Sequence, residues 1–435
     1  MDLLALSSNP LWSNIAHALA LYLAFTVPTA FFIITTQKSS SVRRAWAPCV
    51  LYILYRFSLC VPSLTTSQFL KGVAAGQATV AALQCLNLLL ITNLDETELV
   101  RAGLYSPSAG LLARLLHAWA LLLNFRGIGT VWEVKNIPEH AAYLQPNGKE
   151  QRLSWKRYVL RESAIIIWQY LLLDFIYMST KDTSPEDLAR LFGPGLEFKY
   201  FDATFEQWMG RVSVGIFSWL VPSRVCLNII SRIYFLILVV LGISSPESCR
   251  PGFGRVRDAC TIRGFWGKFW HQSFRWPLTS VSNYIARDVL RLPRPSLLER
   301  YTNIFFTFLT SGVLHLACDA ILGVPPSASG AMKFFCSFPL AIMIEDGVQE
   351  VWRQATGQSQ GGNRVPLWQR LVGFLWVGIW MCVTSPWYLY PAARQQPDKN
   401  WMVPVSVVEE IGLGAVQKIL LVYGVFLYWA IGGEI

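Results

Sequence analysis

Long apolar runs separated by short polar segments make up most of the chain. Nine of these runs approach or exceed the roughly 20 residues that a helix needs to cross about 30 Å of hydrocarbon. The pattern predicts an all-α polytopic membrane protein with about nine transmembrane helices plus interfacial amphipathic helices, folded as a single domain over residues 1–435. The predicted spans are 11–36, 46–62, 72–92, 159–178, 212–243, 301–324, 331–350, 366–390 and 411–432.

Two of these runs differ from a simple span, and a third could be mistaken for a signal peptide. The run at 46–62 is short for a span. The run at 212–243 contains Pro222, Arg224 and Arg232, so it fits either one broken helix or a re-entrant pair. The run at 11–36 has no basic residue ahead of it and is longer than the core of a signal peptide, so we expect a retained span.

The composition of the chain indicates an integral membrane protein. Hydrophobic residues make up 53% of the chain and charged residues 15%, against roughly 25% charged residues in soluble domains. The mean hydropathy is +0.38. The nine cysteines form no C-x-x-C pair, so we interpret them as small core residues rather than as disulfides or metal ligands, and no metal site is predicted.

The charges lie unevenly along the chain. Residues 250–300 hold ten Lys or Arg against three acidic residues, a net charge of +7, whereas 180–209 holds six acidic residues against three basic ones. Because basic loops stay on the cytosolic side, the basic loops and the C-terminus are expected in the cytosol, with the protein in the endoplasmic reticulum membrane. The basic loop fits either topology and attraction to anionic lipid, or a surface for a phosphate-bearing cosubstrate. It carries no nucleic-acid motif.

The segment RGFWGKFWHQSFRW, residues 263–276, combines aromatic and basic residues. On a helix, Lys268, His271 and Arg275 would share one face, opposite the face that carries Phe265, Trp266, Phe269, Trp270 and Trp276. This spacing predicts an interfacial amphipathic helix with His271 between two cations. The alternative is an aromatic belt in which His271 only hydrogen-bonds a lipid headgroup or a backbone carbonyl.

The run at 301–324 carries a polar residue at every fourth position, which predicts a polar stripe facing the bundle interior or a water-filled cavity. A histidine in this stripe, His315, is a candidate general base. Asp319 would orient its imidazole through the other ring nitrogen, and Gly312 would leave room for a substrate. Such a stripe can also simply hold helices together. Its members are Asn303, Thr307, Ser311, His315 and Asp319.

These segments together resemble a known family. FWGKFWHQ, followed about forty residues later by SGVLH, is similar to the wax-synthase-like branch of the membrane-bound O-acyltransferases. LNFRGIGTVWEVKNIP at 123–138 and FFCSFPLAIMIEDGVQ resemble two further elements of that branch. The resemblance covers about 120–390, the family-like core, with spans 11–92 and 411–432 outside it. Fungal members that acetylate terpenoids or meroterpenoids are the most similar.

The resemblance implies an acyl-CoA donor, acetyl-CoA, and a lipophilic terpenoid alcohol as acceptor. It implies that His315 is the catalytic base and His271 a second active-site group, whereas the role of Asp319 rests on helical spacing alone. We expect Arg263, Lys268 and Arg275 to meet the CoA phosphates at the cytosolic mouth, with Trp266 and Trp270 beside them in the donor site.

Other interpretations stay open at this stage. A long-chain wax-ester acyltransferase or a transporter of a small lipophilic molecule would fit the spans, although no repeat relates the halves of the chain as transporters usually show. An acyl-enzyme through Cys318 is disfavoured because a thiol in an apolar span is a poor nucleophile. A Mg²⁺-dependent prenyltransferase would need a second acidic cluster facing Glu345, Asp346 and Glu350, and the sequence has none.

Overall fold

The computed structural model describes residues 10–139, 154–357, 365–395, 403 and 405–431, and these residues are predominantly helical. The helices of the first half are α1 (Pro10–Thr35), α2 (Ser41–Leu64), α3 (Gln68–Ile91), α4 (Glu96–Arg101), α5 (Leu111–Leu123), α6 (Trp155–Thr180), α7 (Pro185–Phe192) and α8 (Phe205–Val240). Those of the second half are α9 (Ile262–Gly264), α10 (Arg275–Asn283), α11 (Leu297–Ile321), α12 (Ala331–Thr356), α13 (Leu367–Gln395), α14 (Val407–Ile411) and α15 (Leu413–Ile431).

Each of the nine predicted spans falls on a long helix. Seven of these helices, α1, α2, α3, α8, α11, α13 and α15, are long and apolar enough to cross a membrane. The other two, α6 and α12, have the length but carry more charge, including Glu162 in α6 and Asp346 in α12. Both carboxylates are paired with arginines. The all-α polytopic architecture is therefore confirmed.

Almost all of the run at 212–243 lies in helix α8. It is one continuous helix with two π-helical turns, Ser213–Phe217 and Trp219–Ser223. Pro222 lies in the second turn, where its missing N–H would interrupt a regular α-helical ladder. The irregular span is thus a single distorted helix and not a re-entrant pair.

The chain divides into two compact units, which we describe separately: unit 1 is Met1–Val134 with Ser273–Glu350, and unit 2 is Lys135–Gln272 with Val351–Ile435. The expectation of a single domain over the whole chain stays a prediction.

Unit 1 has its core among the N-terminal helices and carries α11 beside it. Phe25, Val50, Cys85 and Leu122 are buried in one apolar cluster from α1, α2, α3 and α5. Ser296 caps the N-terminus of helix α11, and its Oγ accepts a hydrogen bond of 3.1 Å from the backbone N–H of Glu299. Aromatic contacts between α11 and α12, together with polar contacts between α11 and α10, hold α11 in place.

Unit 2 is built by close helix contacts. Trp168 of α6 donates from Nε1 to the carbonyl of Leu420 in α15 at 3.0 Å. A Cβ on Gly424 would lie 2.9 Å from the same indole nitrogen, so the glycine allows this approach. Gly215 does the same for α8 and α13, because a Cβ there would come within 2.6 Å of Cys382 Cα. Other residues of α6 and α8 line the cavity described below.

Many large apolar side chains point outward from the long helices. Leu51 of α2, Leu371 of α13, and Val422 and Trp429 of α15 are exposed. A soluble protein rarely leaves apolar surface of this extent open to water, whereas lipid tails solvate it well.

Candidate active site

The aromatic segment 263–276 does not form the single helix that its periodicity predicted. α9 and the π-helical turn Phe265–Phe269 end at Trp270, whose backbone is extended with φ −68° and ψ 153°. A new helix, α10, starts only at Arg275. Lys268, His271 and Arg275 therefore do not share a helix face, and that prediction was wrong.

A close approach of another chain segment accounts for this break. The backbone N–H of Gly254 donates to the carbonyl of Phe269 at 2.9 Å. A Cβ on Gly254 would lie 2.1 Å from the carbonyl oxygen of Lys268, so only glycine fits there. The aromatic side chains are consequently packed inside unit 2: Phe265, Phe269 and Trp270 are buried.

His271 lies just after the π-helical turn, half-buried among aromatic rings. Its imidazole is T-shaped against Phe253, with ring centroids 5.7 Å apart, and tilted against Trp270 at 5.5 Å. The neighbouring Gln272 is buried and donates from Nε2 to the carbonyls of Trp266, at 3.0 Å, and Trp270. Gln272 thus fixes the turn that presents His271.

The residues predicted to contact the donor differ in their surroundings. Lys268 is exposed and lines a cavity of unit 2, whereas Arg263 is half-buried. Trp266 and Trp270 pack edge-on against Trp219, with ring centroids 5.9 and 5.0 Å away. Arg275 belongs to unit 1, where burial lowers the pKa of its guanidinium. Of the five, only Lys268 is among the described residues that line this cavity.

His315 is held in a defined orientation on α11. Its Nδ1 lies 2.7 Å from the carbonyl oxygen of Ser311, one turn earlier. Because a carbonyl oxygen can only accept, Nδ1 carries the hydrogen in the neutral ring and Nε2 carries the lone pair. The ring also stacks on Phe335 of α12, with centroids 4.2 Å apart and planes tilted by 31°.

Two expectations about the neighbours of His315 are corrected. Asp319 was predicted to orient the imidazole, but a backbone carbonyl does so, and buried Asp319 instead accepts a hydrogen bond of 2.6 Å from Ser329 Oγ. Gly312 was predicted to leave room for a substrate. A Cβ there would lie 3.1 Å from Met332 Sδ and 3.4 Å from Phe335 Cβ. Gly312 therefore serves the close packing of α11 on α12.

The polar stripe of α11 faces the protein interior along its first turns, as predicted. Asn303 donates from Nδ2 to Glu299 Oε1 at 2.8 Å, and Arg287 donates from Nε to the same oxygen at 2.7 Å. Thr307 donates to Ser282 Oγ of α10 at 3.0 Å. Paired polar contacts of this kind are what an apolar span requires of its interior face.

Unit 2 contains a cavity of about 630 Å³ whose wall is strongly cationic. α6, α8 and the loop around 249–258 contribute most of the lining. Seven lining residues are basic, against three acidic residues, Glu139, Glu162 and Asp258. A concave surface with this excess of positive charge attracts anionic ligands. The basic residues are Arg161, Arg224, Arg232, Arg250, Arg255, Arg257 and Lys268.

None of the six arginines in this lining was predicted as a site residue. Arg161 and Arg232 both form ion pairs with Glu162, so one carboxylate neutralises one of the two charges. Arg224 lies over the rings of Phe253 and Phe269, at 5.7 and 5.8 Å. The signal available in the sequence was the presence of Arg224 and Arg232 inside an apolar run, which usually marks a functional position.

Comparison with known proteins identifies the family. Residues 249–337, which include the cavity loop, the aromatic segment and His315, match the model of the membrane bound O-acyl transferase family. The chain is 80% identical to acetyltransferase pyr8 of Aspergillus fumigatus over the whole length of both chains. It is 43% identical to acetyltransferase TRI7 of Fusarium sporotrichioides over 81% of each chain. It is 37% identical to acetyltransferase atnC of Arthrinium sp over 99% of each.

These matches extend well beyond the segment that carries the motifs, and they set the transporter interpretation aside. The recognition made from the ordered motifs is confirmed. The chain belongs to the membrane bound O-acyl transferase family and is an acyl-CoA-dependent O-acetyltransferase.

Proposed function

We propose that this enzyme transfers the acetyl group of acetyl-CoA to a hydroxyl of a terpenoid or meroterpenoid alcohol, with His315 as the general base. The observation that carries the proposal is the hydrogen bond between His315 Nδ1 and the carbonyl of Ser311. It fixes the tautomer in which Nε2 accepts a proton. The position of His315 on an apolar span suits an acceptor that dissolves in the bilayer.

The reaction proceeds in one ternary complex. His315 Nε2 takes the proton of the acceptor hydroxyl while the hydroxyl oxygen attacks the thioester carbonyl of the donor. The tetrahedral intermediate collapses by breaking the carbon–sulfur bond, and the imidazolium returns its proton to the departing CoA thiolate. No acyl-enzyme forms. General-base assistance of this kind contributes roughly 10²- to 10⁴-fold to the rate.

His271 is the second catalytic group of the proposal. A ring N–H of His271 would donate to the thioester oxygen as negative charge develops on it, which is where a fixed donor stabilises the transition state most. The packing of His271 against Phe253 and Trp270 supports this role, because a donor held in place needs little reorganisation during the reaction.

The cationic cavity is the proposed entrance for the donor. CoA carries several phosphate charges, and the lining of the cavity has an excess of four positive charges, from seven basic and three acidic residues. Lys268 belongs to this lining, which supports its predicted contact with a phosphate. Arg263, Trp266 and Trp270 remain proposed donor contacts in unit 2, and Arg275 remains one in unit 1.

The cellular setting follows from the charge distribution. We place the protein in the endoplasmic reticulum membrane, with the basic segment 250–300 and the C-terminus in the cytosol, where acetyl-CoA is available. This segment holds ten basic and three acidic residues, and its net positive charge supports that orientation. The acceptor reaches the enzyme from the lipid phase.

A donor and acceptor panel tests the proposed substrates. Purified enzyme in nanodiscs is incubated with radiolabelled acetyl-CoA or palmitoyl-CoA, together with terpenoid alcohols or long-chain fatty alcohols, and the labelled esters and free CoA are quantified. We expect acetyl esters of terpenoid alcohols with equal amounts of CoA. Faster formation of palmitoyl esters of fatty alcohols would contradict the proposal and favour a wax-ester enzyme.

A further inference from the structure

The arginines of the cavity wall are not equivalent. Arg161 and Arg232 share Glu162 in a buried triad, in which the side chains are 8%, 12% and 5% exposed. In this triad two buried guanidinium groups bind one carboxylate. Because each charge would be costly to bury alone, the three side chains hold one another in place. This triad joins α6 to the C-terminal part of α8.

Arg224 of α8 has no such carboxylate among the described residues. Its guanidinium is half-buried and lies over two aromatic rings, those of Phe253 and Phe269, which are themselves buried. Within the described part of the chain, its Nε has no hydrogen-bond acceptor. A partly desolvated cation in a membrane-spanning helix favours an anion that can take up its remaining N–H donors.

Three of the four remaining cations of the cavity lie at its exposed edge, and the fourth, Arg250, is half-buried and donates from Nε to the carbonyl of Pro138 at 2.9 Å. Arg255, Arg257 and Lys268 are all exposed, and none of them pairs with a carboxylate among the described residues. The cavity thus offers positive charge at two depths. Inside, Arg224 lies against aromatic rings and the buried triad keeps one net positive charge, and three exposed cations lie at the edge. A ligand with two separate phosphate groups fits this distribution better than a ligand with one.

We infer that Arg224 determines donor specificity by binding the diphosphate of the acyl-CoA, while Arg255, Arg257 and Lys268 bind its 3′-phosphate. This inference rests on the proposed function. The order follows from the chemistry of CoA, in which the diphosphate separates the acyl-pantetheine arm from the ribose 3′-phosphate. Because the thioester end must enter first, the inner cation meets the diphosphate and the outer cations meet the 3′-phosphate.

Three donors test the inference: acetyl-CoA, acetyl-3′-dephospho-CoA, which lacks only the 3′-phosphate, and S-acetyl-pantetheine, which lacks the diphosphate together with the adenosine 3′-phosphate. Arg224→Met should raise KM about 10- to 100-fold for the first two donors, the loss expected for a charged hydrogen bond, and leave KM for S-acetyl-pantetheine unchanged. Arg257→Met should raise KM for acetyl-CoA alone. An equal rise for all three donors, or no rise, would overturn the assignment of Arg224.

Controls separate charge from folding. Arg224→Lys keeps the positive charge and should restore much of the CoA affinity that Arg224→Met loses, as measured by calorimetric titration of free CoA into the nanodisc protein. Arg190→Met removes an exposed arginine of α7 that pairs with Asp187 and Glu206 outside the cavity, and it should bind CoA as the wild type does. Arg224→Met and Arg224→Lys binding CoA equally weakly would indicate a structural role and overturn the inference.

Two further outcomes are distinguishable. His315→Ala should bind CoA normally and yet lose acetyl transfer, so failure of the general-base proposal leaves the CoA-binding result intact. If the cavity instead holds a phospholipid headgroup, Arg224→Met will lose co-purified anionic lipid while keeping wild-type CoA affinity. That result would contradict the inference.

Discussion

The proposed chemistry at the residue scale depends on how one imidazole is held. His315 is oriented by a carbonyl one helical turn away and by the ring of Phe335, 4.2 Å from its own. A backbone acceptor keeps the hydrogen on Nδ1 without adding a charge inside an apolar span. This arrangement explains why Asp319 is available for its own contact with Ser329.

A substitution at Gly312 tests whether the packing of α11 on α12 holds the ring of Phe335 against His315. Gly312→Ala places a methyl group 3.1 Å from Met332 Sδ and 3.4 Å from Phe335 Cβ, which should destabilise unit 1 by about 1–3 kcal/mol and lower kcat by displacing the ring that stacks on His315. Thermal unfolding in nanodiscs and initial rates measure both effects.

Gly76→Ala is the matched control. Gly76 lies within α3, and a Cβ added there would meet no heavy atom within 4 Å beyond its own stretch of helix. Alanine at this position should leave activity intact and add about 0.5–1 kcal/mol of helix stability. If Gly312→Ala were as stable and as active as Gly76→Ala, close packing of α11 on α12 would not support the base.

At the element scale, sequence patterns predicted helices well and their interruptions poorly. The spans were predictable because an apolar run of sufficient length in lipid can satisfy its backbone only as a helix. The segment 263–276 was mistaken for one helix, because periodicity cannot register that Gly254 crosses at Phe269 and ends it. The cavity could not be predicted either, because Arg161 and Arg224, which both line it, are distant in sequence.

The buried triad between α6 and α8 gives a prediction at this scale. Glu162→Ala would leave Arg161 and Arg232 without their shared carboxylate and should destabilise the protein by about 3–5 kcal/mol. Glu206→Ala is the control, because Glu206 pairs with Arg190 at the surface with its side chain 58% exposed and should change the melting temperature little. Equal melting temperatures for the two variants would show that the triad does not stabilise the α6–α8 contact.

At the scale of the whole molecule, the proposed groups lie in different parts of the chain: the cationic cavity belongs to unit 2 and His315 to unit 1. Family membership was predictable from the sequence because the aromatic segment and the histidine segment occur in the right order. The residues that bind the donor were less predictable, because charge and cavity shape combine only in the folded chain. Lys268 is the one predicted donor residue among the described residues that line the cavity.

The proposed topology can be checked by thiol labelling in sealed microsomes. In a Cys49→Ser background, which removes an exposed native thiol, Arg291→Cys should react with a membrane-impermeant maleimide from the cytosolic side. Asp202→Cys, in the acidic segment, should react only after detergent is added. Labelling of Asp202→Cys in intact microsomes, with protection of Arg291→Cys, would reverse the orientation.

The most direct test of the central claim compares two histidines that make the same backbone contact. His117 of α5 also places Nδ1 against a carbonyl one turn earlier, that of Ala113 at 2.8 Å, but it has no part in the proposed reaction. The measurement is kcat for acetyl transfer by His315→Ala and His117→Ala, each shown to bind CoA. We predict a fall of roughly 10²- to 10⁴-fold for His315→Ala and a wild-type rate for His117→Ala. A wild-type rate for folded His315→Ala would contradict the assignment of His315 as the general base.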